Sequence, residues 1–241
     1  MCAWLDRHRP DILVAGGDII DFPSLSSYSP KPEHDQSANE CIQSGYEVLR
    51  DWSVASGSKC KLYMLPGNHE QRLQKYVIRN APELYGLHRA DDDTNMLALP
   101  HLLRLDELGY EWVAPKGLDE WPHSKLVLGN NLVVTHGWLA RKGSGMTAKA
   151  TLEHMGHSVV VGHTHRQGEI FHSYEEIDGS MRVLTAAEAG TLCDVKGQGY
   201  SVGPDWQAGF ATAWVWPDGK FYLSLAHYVN GTLLWGRERY G

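Results

Sequence analysis

The sequence predicts an α/β domain in which two sheets pack in layers. Short apolar runs at residues 12–15 and 62–65 flank a segment with helical periodicity, which is the pattern of a β-α-β unit. Strand-like runs recur after residue 111, and the tail has turn dipeptides typical of hairpins. These dipeptides are Asp178-Gly179, Asp218-Gly219 and Asn230-Gly231. Parallel units followed by antiparallel strands favour a layered α/β class.

Each element has a local signature. Residues 1–9 are typical of the last turns of a helix, closed by Pro10. The continuous apolar run at 12–15 indicates a strand buried on both faces. Ser37 and Glu40 fit a capping box, so a helix is expected over 37–55. The same patterns predict helices at 70–79 and 146–155 and strands at 62–65, 111–114, 124–128, 131–135 and 158–161.

Composition limits the classes of protein that remain. The 241 residues suit one large domain, predicted over 1–241, with 83–109 as short helices broken by Pro100 that form a cap or insertion. The net charge of −7 argues against a nucleic-acid coat protein, which would carry a basic surface. No apolar stretch of membrane-spanning length and no signal peptide is visible, so a cytoplasmic protein without a membrane partner is expected. The four scattered cysteines predict free thiols.

Residue types that bind metals follow four of the predicted strands. The four motifs are Gly17-Asp18-Ile19-Ile20-Asp21, Gly67-Asn68-His69-Glu70, His136-Gly137 and Gly162-His163-Thr164-His165. Ligands of open α/β sheets lie beyond the carboxyl ends of the strands, so these side chains are expected to converge. Imidazole, carboxylate and amide oxygen together suit Mn, Fe, Zn or Ni. One Gly-Asp or one histidine at a strand end is ordinarily structural, whereas the ordered set of four motifs is specific.

The ordered set G-D-x-x-D, G-N-H-E, H-G and G-H-T-H resembles the calcineurin-like metallophosphoesterases over residues from about 10 to 190. The tail at 203–210 resembles that of phage and prophage members. The resemblance implies a four-layer α/β/β/α sandwich with one or two divalent metal ions at the strand ends. Mn²⁺ is the first candidate, with Fe, Zn, Ni or Mg as alternatives.

The resemblance also implies a role for each motif residue. Asp18 would bridge two metals, and Asn68, His136 and His163 would complete the second. His165 would join Asp18 at the first metal. His69 would assist the leaving group while a metal-activated water attacks phosphorus. Outside this set, Asp21 would hold the loop, and Glu70 would either orient His69 or serve as a helix-start carboxylate.

The sequence departs from the family at its first motif. Family members carry D-x-H at the end of an opening strand, which supplies two ligands to the first metal. The only Asp-x-His before Asp18 is Asp6-Arg7-His8, which is predicted to be a helical surface pair. The chain is therefore expected to lack the first β-strand, through a truncated or misassigned start or as a reduced variant. In a reduced variant the first metal would keep only Asp18 and His165, so it would be weak or use substitute ligands.

The function expected from the resemblance is metal-dependent phosphoester hydrolysis, of phosphodiesters rather than monoesters. Phosphoprotein phosphatases of the family carry Asp-Arg-Gly where this chain has Asp21-Phe22-Pro23. DNA or RNA is one specific substrate, favoured by the phage-like tail and opposed by the net charge. The alternative is a degenerate, non-catalytic member that binds metal, nucleotide or a partner. A missing strand would expose sheet edges, so oligomerisation by strand donation is also expected.

Overall fold

The computed structural model describes residues 1–27, 36–114, 121–194 and 204–241. They belong to two compact units, Met1–Ser124 and Lys125–Gly241, and each unit is described by itself. A single domain over residues 1–241 stays a prediction.

The N-terminal unit alternates helices with parallel strands. Its elements are α1 (Cys2–His8), β1 (Ile12–Ala15), α2 (Ala38–Ser56), β2 (Lys61–Met64), α3 (Gln71–Asn80), α4 (Leu99–Leu102), α5 (Leu105–Leu108) and β3 (Tyr110–Trp112). Within its described residues the parallel strands are ordered β1-β2-β3. The β-α-β beginning predicted from the sequence is therefore confirmed.

Local signals explain where α2 begins and how closely it packs. The capping box is present, since Glu40 donates its backbone N–H to Ser37 Oγ at 3.2 Å and Ser37 donates its own to Glu40 Oε2 at 2.8 Å. A Cβ on Gly45 would lie 2.7 Å from Cγ1 of Ile20. A glycine on this helix therefore lets the chain that follows β1 pack directly against it.

Two expectations for this unit are wrong. Strand β1 is buried on one face only, because Leu13 and Ala15 are covered while Ile12 is 39% exposed. Pro100 does not break the helices, because it lies in the first turn of α4, where no backbone N–H partner is needed. The segment predicted as a cap is exposed over residues 83–94, whereas Leu99, Leu103 and Leu105 are buried in the core.

The C-terminal unit contains two sheets and one long helix among its described residues. Its elements are β4 (Lys125–Leu128), β5 (Leu132–Thr135), α6 (Met146–Met155), β6 (Ser158–Val161), β7 (Gln167–Glu175), β8 (Met181–Ala189), β9 (Gly209–Val215), β10 (Phe221–Val229), β11 (Thr232–Trp235) and β12 (Glu238–Tyr240). The mixed sheet has the order β4-β5-β6-β8-β7, and the antiparallel sheet has the order β12-β11-β10-β9. All three predicted hairpin dipeptides connect paired strands.

The core of this unit has two parts, one on each face of the mixed sheet. Leu132, Val160 and Ala187 pack against Leu223 of the antiparallel sheet. On the other face, Val133 and Val159 pack with Ala148 and Leu152 of α6. Helix, mixed sheet and antiparallel sheet are thus three successive layers, and the predicted layered α/β class is confirmed. Every residue of β6 is buried, as expected for a central strand covered on both faces.

The Asp6-Arg7-His8 segment lies in α1, as predicted. Arg9 donates Nε to the Asp6 carbonyl at 2.8 Å and pairs with its carboxylate, while the His8 ring lies 4.8 Å from that of Trp4. Asp6 and His8 therefore lie on a helix and do not follow a strand. No helix in the described parts of the chain is long and apolar enough to cross a membrane.

Candidate active site

The turn after β1 brings the first two motifs together. Strand β1 runs into Gly16-Gly17-Asp18, where the backbone becomes left-handed, with φ of 93° at Gly17 and 55° at Asp18. Asp18 Oδ1 accepts the backbone N–H of His69 at 3.0 Å. Asn68 lies between Gly67 and His69 in the loop that follows β2. Within this unit, the predicted residues Asp18, Asn68 and His69 are therefore on adjoining loops.

The carboxylate of Glu70 fixes this arrangement. Its Oε2 accepts the backbone N–H groups of Asp18 and Gly67, each at 2.8 Å. Its Oε1 accepts those of Ile19 and Ile20 at 2.7 and 3.3 Å. Glu70 is only 4% exposed, and its side chain makes no capping bond to α3. Glu70 thus stands at the start of α3, as one of its two expected roles required, and its carboxylate also binds the backbone of the Asp18 turn, which was not expected. That Glu70 orients His69 stays a prediction.

Gly67 is required by the close approach of Asp18. A Cβ at this position would lie 2.2 Å from Asp18 Oδ1 and 2.6 Å from the Asp18 backbone nitrogen. Real side chains never come so near, so any other residue would displace the Asp18 turn.

His69 lies between an acidic and a basic side chain. Its Nδ1 is 2.7 Å from Asp21 Oδ1, and its Nε2 is 3.0 Å from Nη2 of Arg72. Arg72 also donates Nη1 to the carbonyl and the carboxylate of Asp21, at 2.6 and 2.7 Å. The hydrogen bond from His69, followed by the charges of His69 and Arg72, lowers the pKa of Asp21. Asp21 therefore stays ionised and orients His69, which is more than the loop-holding role expected for it.

Arg72 was not predicted as a site residue. It stands three positions after His69, close to the start of α3, and residues with this spacing share one helix face. That spacing is the signal by which the sequence could have indicated it.

In the C-terminal unit, two parallel neighbours supply the histidines. Thr135 at the end of β5 is paired with Val161 at the end of β6, so the loops that follow are adjacent. Gly162 donates its backbone N–H to the carbonyl of His136 at 3.1 Å. The rings of His136 and His163 are 5.2 Å apart, and a ring nitrogen of each lies within 4.8 Å of one on the other. This spacing allows both imidazoles to bind one ion.

Both histidines of the Gly-His-Thr-His motif have left-handed backbone, with φ of 63° at His163 and 60° at His165. Asp18 shares this conformation. It costs a side chain-bearing residue about 1–3 kcal/mol and is concentrated at functional sites. Three of the five predicted metal ligands are therefore held in an unfavourable conformation by their surroundings.

A second buried carboxylate fixes the loop that follows His136. Glu188 on β8 is fully buried and accepts the backbone N–H of Thr147 at 2.7 Å. It also accepts those of Gly145 and Ala148, at 3.2 and 3.3 Å. These groups lie at the start of α6, where the helix dipole favours a negative charge. Glu188 has no local sequence signal, because its partners Thr147 and Ala148 lie 41 and 40 positions away.

The class of protein follows from a comparison with known families, which agrees with motif residues at the strand ends of a layered α/β fold. The calcineurin-like phosphoesterase family matches residues 2–167, so the chain belongs to that family. Membership supports metal-dependent phosphoester hydrolysis in general, with divalent metals as the cofactors.

The curated relatives include two phage proteins, as the tail had indicated. The gene 54 protein of Mycobacterium phage L5 is 28% identical over 221 residues, and that of Mycobacterium phage D29 is 26% identical over 224 residues. Each alignment covers 84% of this chain and 76% of the relative. Residue 203, the first of the tail motif, lies outside the described residues.

Proposed function

We propose that this protein is a metal-dependent phosphodiesterase. Its metal ligands are Asp18, Asn68, His136, His163 and His165, and His69 assists the leaving group. The observation that carries the proposal is the left-handed backbone of Asp18, His163 and His165 at the ends of parallel strands. If these residues served only as turns, glycine at each position would provide the same backbone conformation without this cost.

The donor set fits divalent metal ions. Paired imidazoles with a carboxylate and an amide oxygen suit Mn²⁺, Fe, Zn or Ni, and Mn²⁺ is the first candidate. Such ions, when bound, activate water for attack and neutralise charge on the phosphoryl oxygens. Because Asp18 and His165 alone remain for the first metal, the second site is proposed to bind more tightly.

The chain itself supplies the group that acts on the leaving oxygen. The contact between Nδ1 of His69 and Asp21 fixes the imidazole, and Nε2, which accepts from Nη2 of Arg72, is the atom proposed to exchange a proton with the leaving oxygen. Arg72, 3.0 Å from Nε2, adds positive charge where a phosphoryl oxygen would approach.

The preference for diesters is supported by Phe22. Where phosphoprotein phosphatases of the family carry arginine after the second aspartate, this chain has a phenylalanine that is fully buried. Its side chain cannot meet a phosphate. A monoester carries more negative charge than a diester, so a site with one cation fewer favours the diester. Nucleic acid as the diester, a cytoplasmic location and association of copies through sheet edges stay predictions.

The test is hydrolysis with Mn²⁺ of bis-p-nitrophenyl phosphate, p-nitrophenyl phosphate, and single- and double-stranded DNA. His69→Ala and His163→Ala are compared with the wild type and with His88→Ala, a control on an exposed residue. We expect diester hydrolysis that both site variants lose and the control retains. Equal rates in all four proteins would indicate a contaminant and favour the non-catalytic alternative.

A further inference from the structure

The tail segment, residues 204–207, lies beyond the part of the chain that matches the family, yet it contacts the Gly-His-Thr-His loop. Gln207 donates its backbone N–H to the carbonyl of His165 at 2.9 Å. The side-chain oxygen of Gln207 accepts the backbone N–H of Gln167 at 3.0 Å. The backbone is thus held immediately before and after Arg166.

The imidazole of His165 is held as well. Its centroid lies 4.5 Å from the ring of Trp206, with an interplanar angle of 75°. Such an edge-to-face contact is favourable and directional, so it selects one orientation of the smaller ring. Trp206 is partly buried.

The tail segment is anchored on its other side. The carbonyl of Gln207 accepts the backbone N–H of Thr191 at 3.1 Å. The side-chain amide of Gln207 donates to Asp205 Oδ1 at 2.9 Å, and Asp205 Oδ2 lies 3.7 Å from Nε of Arg166. These bonds make the segment a rigid support, because its backbone and side chains are bonded in several directions.

We propose that the tail segment is a positioning device for a metal ligand, in which Trp206 and Gln207 hold His165 in the orientation that binds the ion. This inference rests on the proposed function, in which His165 is a ligand. A site with few protein ligands depends strongly on the orientation of each one. Loss of a residue that orients a ligand typically weakens metal binding by about 10–100-fold.

The experiment measures Mn²⁺ binding to metal-stripped protein by calorimetry. Trp206→Ala and Trp206→Leu, which keeps apolar bulk, are expected to weaken the same binding event as His165→Ala, by about tenfold. Trp206→Phe restores an aromatic edge and should bind within about twofold of wild type. Trp216→Ala removes a half-exposed tryptophan from the β9–β10 hairpin and should bind like wild type.

A second readout needs no metal. The imidazole C–H resonances of His165 in the metal-free protein should move in Trp206→Leu and less in Trp206→Phe, while thermal melting shows that each variant is folded. Wild-type metal affinity in both Trp206→Ala and Trp206→Leu, with His165→Ala weakened, would overturn the positioning role alone. Wild-type affinity in His163→Ala and His165→Ala would instead refute the proposed metal site, and with it the positioning role.

Discussion

The carboxylate of Glu70 accepts the backbone N–H of Asp18 at 2.8 Å, although 52 positions separate these residues in the chain. The same buried carboxylate also accepts hydrogen bonds from the backbone N–H groups of Ile19, Ile20 and Gly67. The second motif thus sets the backbone conformation of the first. A carboxylate suits this position because both of its oxygens accept and neither donates.

Glu70→Gln tests this dependence. The amide nitrogen that replaces one oxygen would face backbone donors, so about 1–3 kcal/mol of stability should be lost. For a chain of this size that lowers the melting temperature by roughly 2–4 °C per kcal/mol. Glu83→Gln, on an exposed glutamate of the same unit, is the matched control and should melt like wild type.

Gly67→Ala should damage the site more than its small size suggests. The added Cβ would meet Asp18 Oδ1 at 2.2 Å, and overpacking of this kind costs about 1–3 kcal/mol. We expect both melting temperature and diesterase rate to fall. In Gly16→Ala the new Cβ meets nothing within 4 Å, so that variant should keep both properties. Similar behaviour of the two variants would contradict the close approach.

Replacing His165 with glycine should leave the protein more stable than replacing it with alanine, whichever role the imidazole has. At φ of 60° glycine carries no steric cost, whereas alanine does, so His165→Gly should melt above His165→Ala. The order should reverse at His154 in α6, where glycine costs about 1 kcal/mol relative to alanine. If both His165 variants are inactive despite their different melting temperatures, the loss of activity is caused by the missing imidazole and not by instability.

Metal content distinguishes a complete two-metal centre from a reduced one. With Asp6 and His8 in α1 rather than after a strand, the proposed second site should retain its ion while the first exchanges readily. Elemental analysis after dialysis should then give about one tightly bound ion per chain, and none in His163→Ala. Two tightly bound ions in the wild type would show that other ligands complete the first site.

Acid should act on stability through Asp21. Since its pKa in the folded protein is below the ordinary value of 3.8, the unfolded state takes up a proton at a higher pH than the folded state. The stabilisation is therefore complete above about pH 4 and is lost as the pH falls through the lowered value. In urea unfolding, the wild type should have a larger free energy of unfolding than Asp21→Asn at pH 6, and this difference should shrink towards pH 3. Asp93→Asn, on an exposed carboxylate, should show no such difference at either pH.

Most of the secondary structure could be predicted because its signals are local. A capping box sets the start of α2, and Asp-Gly and Asn-Gly dipeptides set the hairpins. The helix expected at 146–155 has those same bounds. Burial was less predictable, because the apolar run of β1 does not reveal that Ile12 is exposed and Val14 only half-buried.

The motifs predicted the candidate metal ligands and His69. The supporting residues were missed where their partners are distant in the sequence. The roles of Glu70 and Glu188 follow from N–H groups far away in the sequence, so no local pattern indicates them. The left-handed backbone of His163 and His165 is equally hidden, since histidine adopts it only occasionally and no glycine stands at either position to signal it. Arg72 alone had a local signal, its helical spacing from His69.

The side chain of Gln167 makes the boundary of the family match a poor place to divide the gene. Its amide donates to the carbonyls of Ala189 and Ala226 at 3.0 and 2.9 Å, and its oxygen lies 2.7 Å from Nδ1 of His227. One residue at the end of the matched region thus joins β8 to β10. A fragment that stops after residue 167 would retain the whole signature of the family and lose the strands that support it. Domain swaps and shortened versions of the protein should therefore carry the C-terminal sheet along with the motifs.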